Sequence, residues 1–178
     1  VLGVIFSGLV FVKRRGISPL RFADIVACAT PVGLMLGRLA NFVNGELFGR
    51  VSDVPWAMVF PRGGSEPRHP SQLYEAFLEG FVLWLILRIL TTRFKAMSKP
   101  GLVTGAFVLG YGVFRFAVEF VRTPDNIPQF GMLTRGMAYS LPMVIIGLIV
   151  VIWAARRAAV EPAYASRASV TDDLPETN

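Results

Sequence analysis

The stretch Gly37-Arg38-Leu39-Ala40-Asn41-Phe42-Val43-Asn44-Gly45-Glu46-Leu47-Phe48-Gly49-Arg50 ends an apolar run with an arginine, two asparagines and a glutamate, bracketed by glycines. Polar groups at the edge of a membrane are costly unless partnered, so the cluster is a functional-site candidate. A guanidinium presents a planar fork of donors suited to phosphate oxygens, and asparagine adds neutral donors without adding charge. If a helix carries through, Arg38 and Asn41 share one face at i, i+3 spacing, with Asn44 and Glu46 close behind. Gly45 and Gly49 let the backbone turn back toward a ligand. The stretch reads as an anion-binding site at the end of a membrane helix. The plainer alternative is an interfacial arginine snorkelling to headgroups before an ordinary polar loop.

A second set is Tyr111, Arg115, Glu119 and Arg122, spaced i, i+4, i+8 and i+11 and so expected as one stripe on a helix. Arg115 is flanked by Phe114, Phe116, Ala117 and Val118, inside an apolar run. A central intramembrane arginine costs roughly 2.5–3.5 kcal/mol on insertion scales, and Glu119 offsets part of this as an ion pair. Two arginines from different helices converging on one phosphate would form a clamp; the structural alternative is an ion pair gluing two helices.

His69-Pro70-Ser71-Gln72-Leu73-Tyr74-Glu75 opens a further apolar run, with Pro70 suited to a helix start and Ser71 a candidate cap. His69 is the single histidine. A hydrolase pairing of Ser71 with His69 lacks the GxSxG elbow, and one histidine supplies too few ligands for zinc. His69 and Gln72 therefore read as loop-organising or headgroup-contacting residues. Glu75 and Glu79 lie one turn apart and must face protein or an arginine, since lipid would not accept them. Cys28 reads as a small core residue, and Gly101-x-x-x-Gly105 as helix packing.

The elements that position these residues are apolar helices. Of 178 residues 53% are hydrophobic and 17% charged, against the ~25% charged of soluble domains. The net charge of +6 does not indicate nucleic acid, because the basic residues sit between apolar runs rather than on a solvated face. One cysteine excludes an internal disulfide framework. Spans are expected over Val1–Val12 (the tail end of one), Phe22–Leu39 with Asp24 and Pro31 inside, Gln72–Leu90, Gly101–Val121 and Met137–Ala155. The last four approach the ~20 residues that cross ~30 Å of hydrocarbon. The fold expected is an all-α polytopic inner-membrane helical bundle with about four complete spans, the remnant of another and an extracytoplasmic polar loop. Residues 1–158 form the membrane domain, and the polar segment 159–178 is expected as a disordered cytoplasmic tail. Val1 is not a methionine and lies within an apolar run, so the chain is expected to be truncated at its N-terminus.

Lys13-Arg14-Arg15, then Arg93, Lys95 and Lys99, then Arg156-Arg157 fall on one side after successive crossings. The positive-inside rule makes that side cytoplasmic, so Arg38–Pro70 and Val121–Gly136 face outward. Within the first of these loops, Pro55–Pro61 is expected as an extended segment or an interfacial anchor through Trp56, and Arg62–Pro67 as a turn.

Three blocks in order, Gly37–Gly49 (GRxxNFxNxExxG), His69–Glu75 (HPSQLYE) and Tyr111–Arg122 (YGxxRFxxEFxR) followed by Thr123-Pro124-Asp125, resemble the bacterial prolipoprotein diacylglyceryl transferases. The resemblance implies an inner-membrane enzyme that moves the diacylglyceryl group of phosphatidylglycerol onto the lipobox cysteine of a preprolipoprotein signal peptide. The products would be a thioether and glycerol phosphate, made without cofactor or metal and with membrane lipids rather than nucleic acid as surroundings. It implies Arg38 and Arg115 as essential headgroup and leaving-group contacts, with Tyr111 and Glu46 joining them as catalytic candidates. Asn41, Asn44, Gly49, Glu119, His69 and Gln72 are the remaining candidates for headgroup binding. The base that takes the thiol proton stays open among Tyr111, Glu46 and a histidine of a His-Gly-Gly motif that the family carries upstream of the segment beginning at Val1. Without that segment the chain alone is expected to be nearly inactive. Two other classes compete: a transporter whose pathway is lined by Arg115 and Glu119, which would call for a repeat the chain lacks, and a lipid-binding scaffold without chemistry.

Overall fold

The computed structural model describes residues 2–123 and 134–159. The Pro124-Asp125 continuation of the third block, the rest of that loop and the polar tail from 160 lie outside the described residues. Helices α1 (Leu2–Arg15) and α2 (Pro19–Val43) come first. An antiparallel pair follows, β1 (Met58–Val59) with β2 (Pro67–Arg68), placing Met58 opposite Arg68 and Val59 opposite Pro67. Then α3 (Ser71–Glu75) runs without a break through a π-helical stretch, Ala76–Val82, into α4 (Leu83–Arg93). A short 3-10 turn, Ala96–Ser98, leads to α5 (Leu102–Val118), and α6 (Arg135–Ala155) closes the described chain.

Pro19 sits at the start of α2, where its missing N–H costs nothing and its fixed φ suits a helix. Pro31 lies mid-helix and is buried, yet α2 continues past it for three more turns. The helix is thus longer at both ends than the Phe22–Leu39 expectation, so Asn41 is helical and Asn44 is its C-cap. Among the described residues, α2 and α6 are long and apolar enough to cross a membrane, and α5 is a shorter apolar helix. Outward apolar side chains such as Ile145, Ile149 and Trp153 on α6 give the bundle a surface suited to hydrocarbon.

The core cluster is Ala27, Leu83, Leu87, Ala96 and Val103, with Cys28, Phe107, Tyr111 and Phe114 packed against it. Cys28 is the small core residue expected of it. Helices α5 and α6 meet through small residues, Gly105 against Val150 and Val151 and Gly147 against the backbone of Leu109. Gly101 also packs on α6, against Trp153 and Ala154, and in addition caps α5 at φ +94, a conformation that L side chains avoid. Asp24 of α2 is buried, and its carboxylate accepts from the backbone N–H groups of Gly101 at 2.7 Å and Thr104 at 2.8 Å and from Thr104 Oγ1 at 2.7 Å. The charge that interrupts the second apolar run is the cap of a helix 77 residues away.

These contacts define two ends. At one, the start of α2 meets the start of α5, and Lys99 Nζ donates to Ala155 O at 2.7 Å, joining two of the basic clusters. At the other, the chain after α2 meets the start of α3 and the chain after α5. Phe60 is buried there between Phe42, edge-on at 6.1 Å, and Phe48, stacked at 5.5 Å, which fastens the 44–70 loop to the end of α2.

Candidate active site

At the second end, Arg38 and Arg115 come from different helices and meet on one carboxylate. Arg38 Nε lies 2.8 Å from Glu75 Oε2 and Arg115 Nη1 lies 2.7 Å from Glu75 Oε1, with the glutamate wholly buried. Glu79, one turn on and equally buried, stands farther off at 3.7 Å from Arg38 Nη2 and 3.8 Å from Arg115 Nη1, with no hydrogen bond to either oxygen. Glu119 supports Arg115 from behind: its Oε2 is 3.3 Å from Nη2, and its Oε1 accepts from Thr134 Oγ1 at 2.8 Å. Arg122 Nε reaches to 4.0 Å from Glu75 Oε1.

The local sequence explains the convergence. Glu75 ends α3 and Glu79 lies in the π-helical stretch, whose Gly80 lets the backbone press against Met35 of α2, one turn before Arg38. Such π insertions recur at functional sites. Arg115 and Tyr111 are one turn apart on α5, and Tyr111 is half-buried with its ring stacked on Phe107. The helix stops at Val118, so the expected four-residue stripe is broken: Arg122 leaves the helix and pairs its backbone with Gly49.

That pairing is what Gly49 does. Its N–H donates to His69 O at 2.8 Å, Arg50 N–H donates to Val121 O at 2.9 Å, and Arg50 Nε donates to Arg122 O at 2.9 Å. A Cβ on Gly49 would lie 2.6 Å from Val121 O and 2.7 Å from His69 Cβ. The first, second and third sequence blocks are therefore tied together by backbone at this glycine. Gln72 is buried and donates to Glu46 O at 2.6 Å, and Ser71 Oγ donates to Leu47 O at 3.1 Å. Ser71 is thus not the helix cap; that position is Pro70, and the serine hydroxyl holds the loop instead. The Glu46 carboxylate turns to the loop surface, 3.6 Å from Arg62 Nη1, with Asn44 Nδ2 donating to it at 3.4 Å. Asn41 lies on the last turn of α2, three residues after Arg38, and its carbonyl accepts from Glu46 N–H at 3.1 Å.

A family model described as prolipoprotein diacylglyceryl transferase matches residues 1–153. The chain belongs to that family. Proteins of Brucella ovis, Brucella canis and Brucella suis, each named phosphatidylglycerol–prolipoprotein diacylglyceryl transferase, are 51% identical to it over 162 residues. The alignments cover 89% of this chain and 57% of each relative, so the chain spans little more than half the length of the curated relatives it matches. With two apolar helices of crossing length, this member of the prolipoprotein diacylglyceryl transferase family is a membrane protein.

In this family member the candidate site is a set of three guanidinia and three carboxylates: Arg38, Arg115 and Arg122 with Glu75, Glu79 and Glu119. Burying such charges is costly unless they are paired, and here they pair with one another. Glu75 fixes both arginines, while 18% of the Arg38 side chain and 13% of that of Arg115 remain open to the surface. Among the described residues no group of three or more His, Cys, Asp or Glu side chains could hold a metal ion. Glu75 and Glu79 face arginines, as two glutamates one turn apart in an apolar run require; that Glu75 bridges Arg38 and Arg115 of two different helices was not legible in the sequence.

Proposed function

We propose that this chain forms part of an enzyme that transfers the diacylglyceryl group of phosphatidylglycerol to the lipobox cysteine thiol of a preprolipoprotein. The observation that carries the reading is the meeting of Arg38 and Arg115 on Glu75. A carboxylate bridging two guanidinia pre-sets the spacing of their outward N–H groups, so that both can take oxygens of one phosphate. The sulfur of the substrate attacks the glyceryl carbon, a C–S bond forms, and the C–O bond to phosphate breaks. Glycerol phosphate leaves with one more negative charge than the lipid headgroup brought. Arg38 and Arg115 stabilise that developing charge, which in a site shielded from water is worth far more than in bulk. The nucleophile belongs to the substrate, so the enzyme supplies none, and a cationic site favours the thiolate.

Asn41 and His69 are the proposed headgroup contacts beside the clamp, Gln72 holds the loop through Glu46 O, and Glu119 holds Arg115. Tyr111, one turn from Arg115, and Glu46, beside the loop arginine Arg62, are the candidates of this chain for handling the thiol proton. Four helical units, α2, α3 with α4, α5 and α6, cross the bacterial inner membrane, and residues 1–158 act as one transferase domain. The end carrying the 44–70 loop and the arginines faces outward, and the end carrying Lys99, Arg156 and Arg157 faces the cytoplasm with the tail beyond it.

The test is direct. Membranes holding the intact enzyme are incubated with labelled phosphatidylglycerol and a lipobox peptide. A thioether-linked diacylglyceryl peptide with release of glycerol phosphate is expected. Lipid binding or flux without that product would overturn the reading in favour of a scaffold or transporter.

A further inference from the structure

We infer that Trp56 and Tyr74 lock the tautomer of His69, making its Nε2–H a hydrogen-bond donor to the phosphoglycerol headgroup and ruling it out as the base for the cysteine thiol. The inference rests on the transferase reading for its ligand, but not for its tautomer.

An indole N–H only donates, and Trp56 Nε1 lies 2.6 Å from Tyr74 Oη, so the phenol oxygen accepts there. The phenol has one proton of its own, and His69 Nδ1 lies 3.2 Å from the same oxygen. Directed at Nδ1, that proton needs a lone pair on it, which places the ring proton of neutral imidazole on Nε2. The reverse arrangement sets two donors on the Tyr74 oxygen and leaves its proton without an acceptor in the triad. The His69 ring has little freedom to escape. Its backbone N–H donates to Arg50 O at 3.0 Å, its carbonyl accepts from Gly49 at 2.8 Å, and its ring meets that of Tyr74 edge to face at 5.9 Å.

The placement gives the lock a purpose. The hydrogen bonds run from the exposed Trp56 of the loop through Tyr74, the residue before Glu75 in sequence, to His69. A base would need a lone pair on the free ring nitrogen. Held by Tyr74, that nitrogen carries a proton and can only donate, which suits an oxygen of phosphate or glycerol. Trp56 and Tyr74 are positioning residues acting through His69.

Because the chain holds one histidine, 15N-labelled histidine in the 178-residue protein in lipid nanodiscs reports on this ring alone. At a pH where the ring is neutral, the expected spectrum shows Nδ1 bearing a lone pair and Nε2 bearing the proton. Tyr74→Phe and, independently, Trp56→Phe should shift both signals toward a mixture of tautomers. A lone pair on Nε2 in the unsubstituted protein, or spectra unchanged by both substitutions, would overturn the lock. In the intact enzyme, Tyr74→Phe and His69→Ala should raise the KM for phosphatidylglycerol about 2- to 12-fold, the worth of one hydrogen bond, with a smaller change in kcat. His69→Gln, whose amide still donates, should recover part of that loss and leave the acidic limb of the kcat profile in place. Disappearance of that limb in His69→Gln would make His69 the base and end the proposal. The spectra need no turnover, so absence of transfer by the unsubstituted enzyme would remove the headgroup assignment and the transferase reading while the tautomer is judged separately.

Discussion

Asp24 and Thr104 are joined twice: one carboxylate oxygen, Oδ1, accepts both the backbone N–H of Thr104 at 2.8 Å and its hydroxyl at 2.7 Å. The other oxygen takes Gly101 N–H, so the first turn of α5 is capped by α2 rather than by its own neighbours. Asp24→Ala leaves these helix-end donors without an acceptor and should cost about 2–4 kcal/mol. Asp24→Asn keeps one acceptor oxygen and should cost less, and Thr104→Val less again. Thermal unfolding in detergent checks the order, and an Asp24→Ala protein that melts with the unsubstituted one would show that the cap is dispensable.

Glu75 is the residue on which the clamp depends. Glu75→Ala would leave two guanidinia buried against Glu79 and Glu119 alone, and breaking a buried pair in this way costs about 3–5 kcal/mol. Lower thermal stability together with loss of transfer is expected. Glu75→Ala with normal stability and turnover would mean that the arginines are positioned by other groups.

Much of this was legible in the sequence, and what was not has a physical reason. The apolar runs fixed the helices to within a few residues, because a helix that faces lipid must be apolar along its length. The pairing of Arg115 with Glu119 followed from i, i+4 spacing, and it is present at 3.3 Å. The shorter contact, to Glu75 at 2.7 Å, comes from another helix, and the relative rotation of two helices is set by packing that no local pattern records. Asp24 was seen as an interruption for the same reason, since its partners lie 77 and 80 residues away. Of the 55–61 segment only Met58–Val59 is strand, with Pro55 and Trp56 in a turn, and its pairing with β2 depends on the turn between them.

Arg115→Lys in the intact enzyme should lower transfer at least about 100-fold, because a single ammonium cannot hold Glu75 and Glu119 and still present a fork to phosphate. Arg38→Lys should behave alike. Initial rates with labelled phosphatidylglycerol measure both. Near-normal turnover of Arg115→Lys would reduce Arg115 to a structural partner of its glutamates.

Gly136, at the start of α6, lies against the Glu119 carboxylate so closely that a Cβ there would occupy the space of the carboxylate itself. Gly136→Ala should therefore push Glu119 off Arg115 and reduce kcat with little change in helical content by circular dichroism. Gly49→Ala should act through backbone instead, since a Cβ would meet Val121 O at 2.6 Å and His69 O at 2.8 Å, neither of which can swing aside. Faster proteolysis of the 44–70 loop is expected for Gly49→Ala and not for Gly136→Ala. Equal protease sensitivity of the two variants would contradict this division.

The sidedness of the site rests on charge. The basic clusters at Lys99 and Arg156 are brought together at one end of the bundle through the Lys99–Ala155 hydrogen bond, and the loop of the site lies at the other. If the basic end is cytoplasmic, the loop is outside. In a Cys28→Ala background, Ser65→Cys places a thiol on an exposed stretch of the loop, and Met97→Cys places one on the exposed turn beside Lys99. An impermeant maleimide added to intact spheroplasts should label Ser65→Cys and spare Met97→Cys, and permeabilised cells should allow both to react. The permeabilised arm separates a thiol hidden by the membrane from one hidden by packing. Labelling of Met97→Cys alone in intact spheroplasts would invert the orientation. It would put Arg38 and Arg115 on the cytoplasmic face, where the fixed positive clusters would then stand outside against the charge bias that orients membrane helices.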